Sequence, residues 1–178
     1  MSEARKLSRY GWLALLFAAL SASSLLFAGL GGRALWGSEG RWAEVVREMF
    51  ITGDFLHPCI NWEPYFDKPL LSYWFIVPFA WANGGVSELV ARLPSAIAAL
   101  GAMAGTFILA RRLWDSKTAL VSSWILLTAY SFVFWGRTAA ADMENVAFTI
   151  LAVAWFFVRR EKTDFLSYFL FWAICAVG

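Results

Sequence analysis

Residues 10–30 form an apolar run without a single charged side chain. At 1.5 Å of rise per helical residue such a run reaches about 30 Å, the thickness of the hydrocarbon core of a bilayer. Three more runs of near-spanning length follow, at 93–109, 119–135 and 139–158. With 60% hydrophobic residues over 178 positions, the chain falls outside the ordinary soluble class. The expected fold is all-α and integral to a membrane, with several spans. The basic residues ahead of residue 10 resemble the start of a signal peptide. The length of the run and the spans behind it favour a retained first helix.

Sidedness follows from Lys and Arg, which collect on the cytoplasmic side of short-looped membrane proteins. Arg5, Lys6 and Arg9 precede the first run, which puts the N-terminus in the cytoplasm and the loop 31–92 outside. The apolar stretch 69–82 is too short to cross and contains Pro78. Treated as interfacial or re-entrant, it leaves Arg111, Arg112, Lys117, Arg159, Arg160 and Lys162 on the cytoplasmic side. If it crossed, the paired arginines would face outward, against the rule. The final run, 165–178, counts as a partial span, so the chain reads as the N-terminal part of a larger membrane domain and is expected to be inactive alone.

Within the outer loop, Trp42, Val45, Val46, Met49 and Phe50 recur at helical spacing, with Glu44, Arg47 and Glu48 on the other face. This predicts an amphipathic helix on the membrane surface, begun by Ser38 and closed by Gly53. A polar loop this long between spans is expected to carry function. The net charge of +2 contains no basic tract, so no nucleic-acid partner is indicated. Cys59 and Cys175 lie in settings too different to pair, and no metal-ligand spacing appears.

Four motifs then occur in order: SEGRWAE after the first run, YFDKPLLSYW, ARLPSAIAAL and GRTAAADM. Together they resemble the polyprenyl-phosphate-dependent glycosyltransferases of the GT-C fold, the superfamily of protein O-mannosyltransferases and lipid A aminoarabinose transferases. The resemblance implies a multi-pass enzyme of the cell (inner) membrane. It would transfer a sugar, with inversion, from a polyprenyl-phosphate donor to a lipid, glycan or protein acceptor at the extracytoplasmic face. It also implies roles. The family opens this loop with an Asp-Glu pair, the Asp serving as base; here Ser38 and Glu39 stand there, which leaves Glu39 as the candidate base. Lys68 and Arg137 would bind the donor phosphate. Asp67 and Asp142 would organise the site, and Asp67 is a position where a divalent metal could be held; Tyr65, otherwise one of an interfacial aromatic belt, joins them as a candidate by its closeness to Lys68 in the sequence. A second departure is Leu70, where the family more often has another proline after the lysine.

Each residue also has a plainer explanation. Glu39 suits the first turn of a helix, Asp67 and Lys68 could be a solvated pair, Arg137 could anchor a helix end at the headgroups, and Asp142 could cap the helix after it. The rival function is a non-catalytic carrier or binding subunit for lipid-linked sugars.

Overall fold

A computed structural model describes residues 9–162 and 164–178, with side chains from Gly11 onward. The basic residues Arg5 and Lys6 and the side chain of Arg9, which set the expected orientation, lie outside that description. The chain is mostly helical. Its backbone is the helix α5, Glu88–Leu113, the one helix among the described residues that by itself is long and apolar enough to cross a membrane. Ser87 begins it by accepting the Val90 N–H on its hydroxyl, Glu88 sits at its positive end, and Arg111 and Arg112 sit at its negative end. The sequence pattern starts this helix at residue 93; the cap moves the start back to Glu88, and the helix continues through Pro94.

Around α5 stand α1 (Arg9–Phe27), α6 (Ser116–Thr128), α7 (Tyr130–Gly136), α8 (Asp142–Arg159) and α9 (Phe165–Val177). The core between them is built from small side chains: Ala96, Ala99 and Ala102 of α5 meet Ala22 and Leu26 of α1 and Met143 and Ala147 of α8. Small residues let helix backbones approach closely, the usual basis of helix association in lipid. Large apolar side chains point the other way. Trp12, Leu16 and Phe17 of α1, Ile125 of α6, Phe156 of α8 and Phe169 and Trp172 of α9 are all exposed. A surface this apolar suits lipid better than water.

The expected continuous span at 119–135 is instead two helices, α6 and α7, bent by 71°. No proline or glycine marks the break. The Thr128 hydroxyl takes the Ile125 carbonyl, the Ala129 N–H takes the Leu126 carbonyl, and Ala129 is extended.

The loop folds on itself. Its helix α2, Glu39–Thr52, ends at Gly53, whose φ of 72° lets its N–H return to the Met49 carbonyl. Stretch 69–82 becomes two short helices, α3 (Leu70–Trp74) and α4 (Val77–Asn83), each far below spanning length. These cover the apolar face of α2: Trp42, Val45, Val46 and Met49 pack on Tyr73, Ile76, Ala80 and Val90. That face therefore meets protein, where the periodicity alone had it meeting lipid.

The polar face also differs from expectation. Glu44 and Arg47 pair in solvent, but Glu48 is buried and accepts the Trp62 N–H at 3.1 Å. Trp62 sits in the turn of a small antiparallel hairpin, β1 (Cys59–Ile60) and β2 (Glu63–Pro64). Asn61 and Trp62 both have positive φ, 53° and 67°, as a two-residue hairpin turn of the right hand demands. A bulky residue is costly there, and the carboxylate of Glu48 holds its amide in place. Ser38 precedes α2, yet its hydroxyl caps nothing.

Gly105 lies at a close approach of α5 and α8. A Cβ there would stand 2.8 Å from Ile150 Cγ2 and 3.3 Å from Leu151 Cδ2. Gly105→Leu should therefore lower stability by about 1–3 kcal/mol through overpacking, read as a lowered Tm in detergent, while Gly40→Ala, with open space around it and a helical backbone that favours Ala over Gly, should leave Tm unchanged or raise it slightly.

Candidate active site

Three of the four sequence motifs, SEGRWAE, ARLPSAIAAL and GRTAAADM, meet at Glu39, the first residue of α2, at the end of the helical bundle where α1 and α7 finish and α5 and α8 begin; YFDKP meets the first of them at Arg41. Its Oε1 accepts from Arg92 Nε at 2.8 Å and from the Ala139 N–H at 3.0 Å; its Oε2 accepts from Arg92 Nη2 at 2.8 Å and from the Trp36 N–H at 3.1 Å. Arg33 adds a longer contact to Oε2 at 3.4 Å and lies over the Trp36 ring. Arg92, from ARLPSAIAAL, gives its remaining donors to the carbonyls of Leu30, Arg33 and Ala34. One buried ion pair thus joins the chain after α1, the start of α2, the start of α5 and the turn before α8.

Burial works to raise the Glu39 carboxyl, but the Arg92 guanidinium and the Ala139 and Trp36 amides outweigh it and hold the group below its ordinary value of 4.5. Side-chain exposure of the pair is 1% and 1%. A carboxylate closed to solvent, with two or more donors on each oxygen, has no free lone pair aimed at a reactant. This geometry runs against the role of base that the motif position implies for Glu39.

Two residues further along α2, Arg41 projects into solvent. Its Nη1 donates to the Tyr65 hydroxyl at 3.0 Å, and Tyr65 in turn donates to Asp67 Oδ2 at 3.0 Å. Lys68 Nζ stands 3.7 Å from the same oxygen, and Arg41 Nη1 stands 4.0 Å from it. Tyr65, Asp67 and Lys68, singled out from YFDKP, are therefore together and joined by Arg41, which sequence reasoning had quoted only as part of a motif. Tyr73 lies buried beneath them, its ring against Trp42, and burial pushes its phenol up to about 12. The group is open, with about half of each charged side chain exposed. Two cations beside one carboxylate give a net positive charge able to take a phosphate. They make a poor metal cage: Asp67 offers one carboxylate flanked by N–H donors, and no cluster of three or more metal-binding side chains exists among the described residues.

Arg137 has other partners. It donates to the carbonyls of Leu25 and Ala28 at 2.6 and 2.8 Å, closing the end of α1. With Arg33, Leu30, Tyr130 and Phe134 it lines a cavity of about 310 Å³. Asp142 is exposed in the first turn of α8. Nearby Ser95 bonds both the Ala140 carbonyl and the buried Glu144.

Residues 67–178 match the model of the dolichyl-phosphate-mannose-protein mannosyltransferase family. The chain belongs to this family. It is 31% identical over 136 residues to an undecaprenyl phosphate-alpha-4-amino-4-deoxy-L-arabinose arabinosyl transferase of Shewanella sediminis, covering 75% of this chain and 25% of that protein. A protein of Aquifex aeolicus with no assigned activity is 36% identical over 155 residues, covering 83% and 29%. Among solved structures, ArnT from Cupriavidus metallidurans bound to undecaprenyl phosphate superposes with a TM-score of 0.81 at 26% identity, covering 94% of this chain and 31% of that one. The chain thus spans about a quarter to a third of the length of these relatives. Its fold is the corresponding part of the ArnT architecture, a GT-C fold.

The buried pair yields a pH-dependent prediction. Glu39 has a lowered pKa in the folded state, so its contribution is complete above the unfolded value near 4.5 and is lost as pH falls through the lower folded value. Arg92→Met leaves Glu39 buried and unpaired and should cost about 3–5 kcal/mol at pH 7. The Tm difference between wild type and Glu39→Gln should be largest at neutral pH and shrink below pH 4.5. Melting curves across that range check both.

Proposed function

We propose that the protein acts as a glycosyltransferase of the cell inner membrane, using a polyprenyl-phosphate sugar as donor and a lipid, glycan or protein as acceptor at the extracytoplasmic face. The observation that carries this reading is the open Arg41–Tyr65–Asp67–Lys68 group. It presents two cations at the outer end of an apolar helical bundle, where the headgroup of a polyprenyl phosphate would lie. The kinship with enzymes named for undecaprenyl phosphate donors supports it.

In this mechanism the phosphate sits against Lys68 and Arg41, with its lipid tail toward the apolar bundle. An acceptor oxygen or nitrogen attacks the anomeric carbon from the face opposite the phosphate. The bond between that carbon and the phosphate oxygen breaks, and the phosphate leaves carrying one more negative charge than it had as a diester. Lys68 and Arg41 stabilise this added charge, which is where such groups are most effective. The acceptor's proton goes to Asp67, the accessible carboxylate of the group. Glu39 serves instead to fix the start of α2, so that Arg41 points at the phosphate. Arg137 reinforces the adjoining end of α1, and Asp142 faces the acceptor side. The spans comprise α1, α5, the bent pair α6–α7 and α8, with the N-terminus cytoplasmic and the loop 31–87 outside.

A second reading, a carrier or binding subunit, is favoured by one observation: Ser38 replaces the family's carboxylate and Glu39 is enclosed. It predicts donor binding without consumption. Transfer from a radiolabelled polyprenyl-phosphate sugar in permeabilised membranes separates the two. As an enzyme, the wild-type protein consumes the donor, and Lys68→Ala lowers transfer at least about a hundredfold with Tm preserved. Near-normal transfer by the Lys68→Ala variant of the intact protein contradicts the assignment, and binding without transfer by the intact wild-type protein favours the carrier.

A further inference from the structure

The opposite end of the bundle carries a second basic and aromatic site that the reaction does not use. Here α8 ends and α9 begins, and Trp155, Phe156, Arg159, Arg160, Phe171 and Trp172 wall a cavity of about 280 Å³. Lys162 also reaches it. Its walls are ordered by specific contacts. The Trp155 indole N–H donates to the Ser167 carbonyl at 2.9 Å, Arg159 Nε donates to the Ser167 hydroxyl at 3.2 Å, and the Arg159 guanidinium lies 5.2 Å from the centre of the Trp155 ring. Ser167 itself is buried.

Two acidic groups lie nearby, and each has a partner. Glu161 turns away to Arg112 at 3.2 Å, and Asp164 accepts the Ser167 N–H at 2.7 Å as the cap of α9. Arg160 and Lys162 are exposed and close no salt bridge among the described residues, and Asp164 lies within electrostatic reach of Arg159 and Lys162. The cavity is therefore cationic at its rim and apolar in its walls. Phe156, Tyr168 and Trp172 continue its apolar surface outward along α8 and α9.

We propose that this cavity binds the phosphate headgroup of an anionic phospholipid from the leaflet opposite the loop 31–87. The inference rests on the membrane placement given above but not on the transfer reaction. Charge complementarity selects an anion, since three cations line the cavity against one nearby carboxylate, Asp164, that has no salt-bridge partner outside it, which leaves a net positive charge. The aromatic walls select a lipid over a soluble phosphate, because they give acyl chains a surface continuous with the bilayer-facing sides of α8 and α9. Basic pockets between spans on the cytoplasmic side recognise anionic headgroups by this combination, and Arg159 and Trp155 together form the kind of amphipathic boundary that settles at a headgroup layer.

Native mass spectrometry of the intact protein, titrated with defined lipids, tests the proposal. Phosphatidylglycerol should bind at least about tenfold more tightly than phosphatidylcholine of the same chains, which carries a phosphate but no net charge. The double variant Arg160→Gln/Lys162→Gln removes two exposed cations without touching the Arg159–Ser167 contact. It should erase that preference and leave Tm unchanged. Glycerol phosphate, an anion without chains, should fail to displace the lipid at equal concentration. Equal binding of the two lipids, a preference retained in the double variant, or displacement by glycerol phosphate would each overturn the proposal.

Discussion

The salt bridge between Glu39 and Arg92 is the interaction on which the loop-bearing end of this protein depends. Taking two charges out of water is expensive, and their attraction offsets that cost only when the remaining donors and acceptors are also satisfied. Here they are: the carboxylate has two backbone amides besides the arginine, and the guanidinium has three backbone carbonyls besides the carboxylate. The partners come from four separate stretches of chain. The pair therefore acts as a fixed joint that sets where α2 starts relative to the bundle. Since Arg41 lies on the first turn of α2, that joint also sets where the Arg41–Lys68 group stands.

Beyond the joint, two kinds of packing divide the molecule. In the bundle, alanines and glycines bring α1, α5, α7 and α8 close; a Cβ on Gly136 would stand 3.0 Å from both Ala99 and Leu26. In the loop, the larger side chains Trp42, Met49, Tyr73 and Ile76 fill a core of their own. The bundle turns most of its bulky residues outward, and the loop buries some of its own while exposing others, Trp62, Phe66 and Trp81 among them. Such a division suits a fold half solvated by hydrocarbon and half by water. The Arg41–Lys68 group lies in the loop part of that division.

Much of this was legible in the sequence because it depends on local pattern. The apolar face of α2, its closure at Gly53 and the inability of 69–82 to form one crossing helix all follow from spacing and from single residues with known backbone effects. The long-range features were hidden. Arg92 reads as a charge at the mouth of an apolar run, and nothing near it names Glu39, 53 residues earlier, as its partner. Glu48 falls on the polar side of the helical wheel yet is buried, because a hairpin folds back over it. That hairpin was itself obscured, since its turn uses Trp62 at a position where Gly is the usual signal. The break at Ala129 lacks the proline or glycine that would announce it. Motif position marked Glu39 as important, but only its partners distinguish a buried joint from a base.

The most direct test of the account is equilibrium binding of a polyprenyl phosphate, without its sugar, to the intact protein and to the variants Arg41→Gln and Lys68→Gln. If these two cations hold the phosphate, each variant should weaken binding by about tenfold or more with Tm unaltered, and the affinity of the wild type should fall with added salt. Wild-type affinity in both variants would contradict the account and place the phosphate elsewhere.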